Sequence, residues 1–350
     1  MRVAVVGETV LERVALRLNL VALPMMDTQV AYTAARAIMA GSEVGVFDAL
    51  GAGPRDADAV AKDCGTDPAA TRRLLDCLVA VGYLRWRRGR YANTRLTRRW
   101  LARASPVSYA DKLHFQATTE WAWLDDLEDH VRTGESFDLH RRALSADQWA
   151  QYQDAMRALS VGVAPVVAKK LPMPPSPTAM LDIGGSHGLY SVALCRRHPT
   201  LTSTILELPQ AVEEATRLVA RERTDGRVRV RGGDALTDDL GEEQFDLVFM
   251  SHVAHHFSAE QNEALAQRVA RALKPGGHYV IGDMERAAHP GAGGVVGASL
   301  DLFFSFTSTS GTWSAAEIAG WQRAAGLVPQ RYVRYAVLPG YVTVAGRKPS

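Results

Sequence analysis

The sequence predicts an α/β protein: an open, doubly wound parallel sheet in the C-terminal half, preceded by a mainly helical domain of winged-helix type. Three observations carry this. From Met180 onward, apolar strand-like runs alternate with helical stretches, the pattern of a parallel sheet covered on both faces. A glycine-rich turn, Gly184-Gly185-Ser186-His187-Gly188, follows the first of those strands and opens a helix. Upstream, two short helical stretches run into a basic turn flanked by two strand-like segments, a helix–helix–wing order.

At 350 residues the chain is long enough for two domains, read here as 1–170 and 171–350. Met1 to Leu23 is apolar but interrupted by Glu8, Arg13 and Arg17, so it reads as an amphipathic helix that packs on something. It is neither a signal peptide nor a spanning helix. Thr28 to Leu50 is apolar at helical spacing, and Gly51-Ala52-Gly53-Pro54 breaks it. Helices follow over Asp56 to Cys64 and Asp67 to Val81, with both aspartates as N-caps and Pro68 at the first helical position. Tyr83 to Trp86, the turn Arg87 to Arg90, and Tyr91 to Asn93 form the wing. From Pro106 to Val166 the chain reads as helices rich in aromatics. Some are core, because large rings carry much of the burial in any helical layer; others, Trp121 among them, wall a pocket for a flat ligand. Leu171 to Thr178, with four prolines, is the linker.

Beyond it, strands are expected at 180–183, 201–206, 227–231, 245–250 and 279–284, with helices between them. At the end, 331–337 and 341–346 flank Leu338-Pro339-Gly340 as an antiparallel hairpin that closes the sheet.

Composition excludes several classes. With 47% hydrophobic and 22% charged residues this is an ordinary globular chain, and a formal net charge of +2 implies no strong field for nucleic acid or membrane. Three scattered cysteines make no disulfide framework and fit a reducing, cytoplasmic setting. The wing and its arginines keep duplex binding open as an alternative use of the first domain. No zinc-like ligand spacing occurs, although His252, His255, His256, His289 and Asp283 are the residue types that bind metals.

The glycine turn says which nucleotide-like ligand is meant. A dinucleotide fingerprint ending at Gly188 needs its first glycine at 183, where Ile183 stands. What remains, Asp182-Ile183-Gly184-Gly185-Ser186-His187-Gly188, resembles the first motif of methyltransferases that use S-adenosylmethionine. Glu207 ends the second strand, where a carboxylate can accept both ribose hydroxyls. Gly232-Gly233-Asp234-Ala235, Phe245-Asp246-Leu247-Val248 and Pro275-Gly276-Gly277 follow in that family's order. The layout resembles a Rossmann-like class I methyltransferase, in particular small-molecule O-methyltransferases of plants and of bacterial polyketide metabolism. In that family the N-terminal module dimerises and lids the active site. The resemblance implies a homodimer, S-adenosylmethionine as cofactor, and no metal, nucleic acid or membrane.

It also implies residue roles. Asp182, Gly184 and Gly185 lie near the donor's methionine part, with Ser251 near its carboxylate and Gly188 a further cofactor-binding residue of the turn; Asp234 faces the adenine and Ala235 packs on it. Ser251-His252-Val253-Ala254-His255-His256-Phe257 resembles the His-Asp-Trp motif of phenolic O-methyltransferases, with His255 as catalytic base and Asp283 as its orienting acid. An imidazole with a pKa of about 6.5 suits removal of a phenol's proton. His256, Phe303, Phe306 and Trp121 are expected to face a small aromatic substrate. Two departures stand out: His256-Phe257 replaces Asp-Trp, and Thr312 stands where a second acid is usual, with Glu285 as a candidate substitute. These departures leave carbon methylation as a rival reading; the winged helix leaves a cofactor-binding regulator, and a non-methylating member would carry the same cofactor residues.

Overall fold

A computed structural model describes residues 5–137, 139, 145–292 and 294–350; the parts of the Met1–Leu23 and Pro106–Val166 readings that fall outside those ranges are not described. The chain divides into two compact units between Ala122 and Trp123. The sequence boundary at 170/171 marks where helices give way to alternation, whereas compactness divides the chain earlier. The reason is packing: Val163, Ala164 and Val167 share one buried cluster with Met180, Leu189 and Leu194 of the sheet unit.

In the N-terminal unit, helix Val10–Arg17 starts at a capping box formed by Thr9 and Glu12. None of its residues is buried, and Val10, Leu11, Leu18 and Leu20 are exposed. The helix expected over Thr28–Leu50 is interrupted: Ala31–Glu43 and Val46–Ala49 are separate because Gly45 adopts φ +82°. Asp56 and Asp67 cap helices Ala57–Cys64 and Pro68–Ala80 by accepting the amides of Ala59 and Ala70. The wing is a hairpin, β1 (Leu84–Arg87) with β2 (Arg90–Asn93), packed on a core of Val46, Phe47, Leu50, Leu75 and Leu78.

The second unit is built on β3 (Ala179–Ile183), β4 (Thr202–Glu207), β5 (Val228–Gly232), β6 (Phe245–Ser251) and β7 (Leu273–Met284), all mutually parallel. Three further strands, β8 (Val328–Pro329), β9 (Val333–Arg334) and β10 (Tyr341–Arg347), complete the sheet. Its order is β5-β4-β3-β6-β7-β10-β8, with β9 also on β10. Alternate residues of β3 serve opposite cores: Met180 faces one cluster, Leu181 and Ile183 the other. The terminal hairpin is smaller than expected, since β9 pairs only Val333 and Arg334 with β10. Strand β10 instead runs its whole length along β7, which leaves 331–337 at an edge. Strand order reverses between β3 and β6, and the crevice at such a switch point is where α/β sheets bind ligands. No helix among the described residues is long and apolar enough to cross a membrane.

Candidate active site

At the carboxyl end of β3 the backbone turns through Gly184 (φ +64°) and Ser186 (φ +43°) to Gly188 (φ +71°), where helix Leu189–Arg197 begins. A Cβ on Gly188 would stand 2.6 Å from Val219, in a conformation that L residues rarely adopt. His187 stabilises the turn: its Nδ1 accepts the Leu189 amide at 3.1 Å, and burial pushes the imidazole down to about 3, so it stays neutral.

Above this turn lies a cavity of about 290 Å³. Gly184, Glu207, Asp234, Ala235 and His256 all line it, which brings together five of the residues named from sequence. Glu207, at the end of β4, accepts the Ser186 and Leu208 amides, each at 3.0 Å. Burial holds its carboxyl above the usual range. Asp234 accepts the Leu236 amide at 2.8 Å.

Asp182 and Gly185 lie beneath this surface. A Cβ on Gly185 would meet the Asp182 carboxyl at 2.6 Å. Asp182 is fully buried, and Ser191 donates to it at 2.5 Å. Burial pushes its carboxyl up to about 7; the Ser191 bond opposes this and the Glu207 charge adds to it. Ser251, at the end of β6, shares a 2.7 Å hydrogen bond with the Tyr341 hydroxyl.

The histidine segment follows β6. His255 is buried, and its Nδ1 stands 2.9 and 3.0 Å from the two carboxylate oxygens of Asp283 at the end of β7. The same carboxylate accepts the His255 and Met284 amides. Burial would raise Asp283, but the facing His255 imidazole overrides it and holds the carboxyl below the usual range. With the carboxylate on Nδ1–H, the tautomer is assigned so that Nε2 carries the lone pair. Such a pair can accept a proton at Nε2 and stabilise the resulting cation.

Other expected residues fall elsewhere. The ring stacked on His255, at 4.0 Å, belongs to Phe304, not to Phe303 or Phe306. Phe306 is core, within 6.1 Å of Phe137 and of His130, while Phe303 lies between Phe304 and Trp123. Trp121 belongs to the N-terminal unit, with the Arg36 guanidinium over its ring. Thr312 donates its amide and hydroxyl to Asp301, tying its loop to helix Gly294–Thr307. Glu285 is held in a bidentate ion pair by Arg334 and has no bond to His255. Among the described residues no three His, Cys, Asp or Glu side chains converge on a metal-sized site.

Two contributors to the cavity were not singled out from sequence. One is helix Ala146–Ser160: Trp149 and Tyr152 stand among the aromatics of 106–166 that the sequence leaves unsorted between core and pocket wall, and with Gln153 they reach the wall. The other is His252, which takes φ +55°, stacks on Tyr341 and lies 3.9 Å from Asp283. Burial pushes its imidazole down to about 4. A left-handed non-glycine residue at a strand end is the kind of strain that collects at functional sites.

A glycine turn at a topological switch point, with acids ending the next two strands over, defines a nucleoside-binding methyltransferase of the class I fold. The cavity fits that ligand: Glu207 presents a carboxylate to it, and among the described residues no basic side chain offsets the buried Asp182 below, which suits a cationic donor. Comparison with known proteins sharpens the class. Residues 130–326 match the O-methyltransferase domain and residues 26–103 the O-methyltransferase dimerisation domain. The chain is 30% identical over 339 residues to the tetracenomycin polyketide synthesis 8-O-methyl transferase of Streptomyces glaucescens, covering 93% of this chain and 96% of that one. It is 28% identical over 321 residues to the 3-hydroxy-5-methyl-1-naphthoate 3-O-methyltransferase of Streptomyces sahachiroi, covering 89% and 91%. Human N-acetylserotonin methyltransferase, crystallised with S-adenosylmethionine, superposes with a TM-score of 0.79 at 22% identity, over 99% of this chain and 100% of that one. The chain belongs to the O-methyltransferase family, and it is an enzyme whose cofactor is S-adenosylmethionine.

Proposed function

We propose that this enzyme methylates a hydroxyl of a small aromatic acceptor in secondary metabolism, with His255 as general base and Asp283 as its orienting acid. The observation that carries the reading is the buried His255–Asp283 pair, held at 2.9 Å at the ends of adjacent parallel strands. The aromatic acceptor is supported by the naphthoate and polyketide substrates in the names of the two Streptomyces relatives.

In this reading Glu207 accepts the ribose hydroxyls, Asp234 and Ala235 hold the adenine, and Asp182, Gly184, Gly185, Gly188 and Ser251 surround the methionine part. The bound donor supplies an electrophilic methyl on a sulfonium. His255 Nε2 takes the acceptor's hydroxyl proton as the oxygen becomes the nucleophile, and Asp283 stabilises the imidazolium. His256, which lines the cavity, and Phe303, which stands beside Phe304, belong to the acceptor side in this reading, with Phe306 packed behind Phe303 at 5.4 Å. The N-terminal unit forms the homodimer, in keeping with its dimerisation-domain match and the exposed Met25, Val30 and Tyr32. The cysteines Cys64, Cys77 and Cys195 are free thiols, as a cytoplasmic enzyme would keep them.

One observation favours a second reading. Among the described residues Asp283 is the one carboxylate bonded to His255, and Thr312 binds Asp301, so a carbon nucleophile with lighter demands on the base is the alternative. Turnover of methyl-labelled donor with a panel of phenols, indoles and keto acids, followed by product NMR, separates the two. The proposal expects the label on a phenolic oxygen; label on carbon, or no turnover on any phenol, overturns it.

A further inference from the structure

His255 is carried by a three-residue 3₁₀ turn, Ala254–His256, between β6 and helix Ala259–Ala272. A turn this short makes few hydrogen bonds of its own, so what fixes the base must come from outside it. Two side chains supply it. Asn262, 1% exposed in the first turn of the helix, donates its Nδ2–H to the Ala254 carbonyl at 2.9 Å and to that of Phe257 at 3.2 Å. Trp313 donates its indole Nε1–H to the same Ala254 carbonyl at 3.0 Å.

The other edge of that peptide is held as well, because the His255 amide donates to Asp283 at 3.2 Å. The Ala254–His255 peptide is therefore clamped at its oxygen by Asn262 and Trp313. At its nitrogen it is clamped by the carboxylate that also takes the imidazole. Hydrogen bonds in such a chain polarise one another, so donors on the carbonyl strengthen the bond from the amide to Asp283.

Folding alone does not explain this arrangement. The Asn262 Oδ1 is buried with no partner among the described residues, a cost that an apolar side chain of similar size avoids. Trp313 stands next to Thr312, the residue found where a second acid is usual. Its ring is held edge-on to Trp321 at 5.1 Å, with the Arg286 guanidinium 5.5 Å from its centre, and its carbonyl accepts the Arg286 amide at 3.0 Å. The loop that brings no carboxylate to the imidazole reaches the base through the backbone instead.

We propose that Trp313 and Asn262 are positioning residues for the base, an indole and an amide that hold the Ala254–His255 peptide so that its N–H and the imidazole meet Asp283 together. The proposal rests on the reading of His255 as general base.

The test compares Trp313→Phe, Asn262→Leu and the double variant with the parent enzyme on two phenols of similar shape. One is un-ionised at the assay pH; the other, a nitrophenol, is already ionised there. Only the first needs a base, and the ratio of the two rates is independent of how much of a variant is folded. On the un-ionised phenol each single variant should lose about tenfold in kcat and the double variant about a hundredfold, the scale of misplacing a catalytic group. On the nitrophenol all three should stay within about threefold of the parent, since no proton has to be removed. Donor Kd, measured by calorimetry, should not change. In the ligand-free protein the low-field proton signal of His255 Nδ1–H, assigned by its loss in His255→Ala, should shift or broaden in the double variant. An unchanged rate ratio in the double variant, whatever its total loss, would overturn the proposal, and so would an unchanged low-field signal. If instead His255→Ala keeps the parent's ratio, the base reading itself falls, and the proposal with it.

Discussion

Strands β3 and β7 each bury an aspartate towards the carboxyl end, and the two are held in opposite states. Asp182, under the glycine turn, accepts a hydrogen bond from the Ser191 hydroxyl, and burial pushes it up to about 7. Asp283, two strands away, faces the His255 imidazole and is held below the usual carboxylate range. Burial acts on both in the same direction; the imidazole that faces Asp283 decides the outcome. On the proposed function, the reacting end is therefore complete within the protein, while the donor end is arranged for a positive charge that a ligand brings.

The largest effect should come from breaking the complete end. Asp283→Asn removes the acceptor that fixes the His255 tautomer and stabilises its cation. We expect kcat to fall by about 10²–10⁴ with donor Kd nearly unchanged, measured by single-turnover kinetics and calorimetry. The donor end should respond in the other parameter. Glu207→Ala should raise the donor Kd by about ten- to a hundredfold, the scale of losing charge-assisted hydrogen bonds, with kcat at saturating donor close to that of the parent enzyme.

Asp182→Asn sharpens the comparison through pH. A carboxyl whose folded pKa is raised favours the folded state while protonated, and that advantage is lost as pH climbs from its unfolded value of about 4 to its folded value of about 7. The asparagine variant lacks this slope, so its melting temperature should gain on the parent's from pH 4 to 7, with a constant gap above. The gap should reach about 2 kcal/mol once the amide's own burial cost is deducted. Donor affinity of the parent should tighten over the same window as Asp182 ionises, and that of the variant should not. The smallest effect is expected from Phe304→Ala, which removes the ring over His255: a loss of a few-fold in kcat, with the pH profile kept.

The same contrast explains what was legible in the sequence. The donor side follows local rules: a strand, a glycine turn and a helix start within fifteen residues, and acids at the ends of the next two strands. Asp182 and Glu207 stand out at strand ends beside the glycine turn, Asp234 through the resemblance to the family's motif order, and each strand of the parallel sheet is visible as an apolar run. The acceptor side depends on contacts between segments far apart in the chain. That Phe304 rather than Phe306 covers His255 depends on how helix Gly294–Thr307 is rotated, and three phenylalanines in four positions do not encode that rotation. Trp149, Tyr152 and Gln153 reach the cavity because helix Ala146–Ser160 packs with the sheet unit, across a boundary that composition placed elsewhere. His252 owes its place to a left-handed backbone that no residue type announces.

The central claim is that the His255–Asp283 pair is the base that activates an acceptor hydroxyl. Its most direct test is transfer of a labelled methyl group to a phenolic acceptor by His255→Ala, with donor affinity measured on the same preparation. The account predicts a fall in kcat of about 10²–10⁴, partly recovered at high pH where the phenol ionises unaided, with donor Kd unchanged. Full turnover by the alanine variant at neutral pH would contradict it.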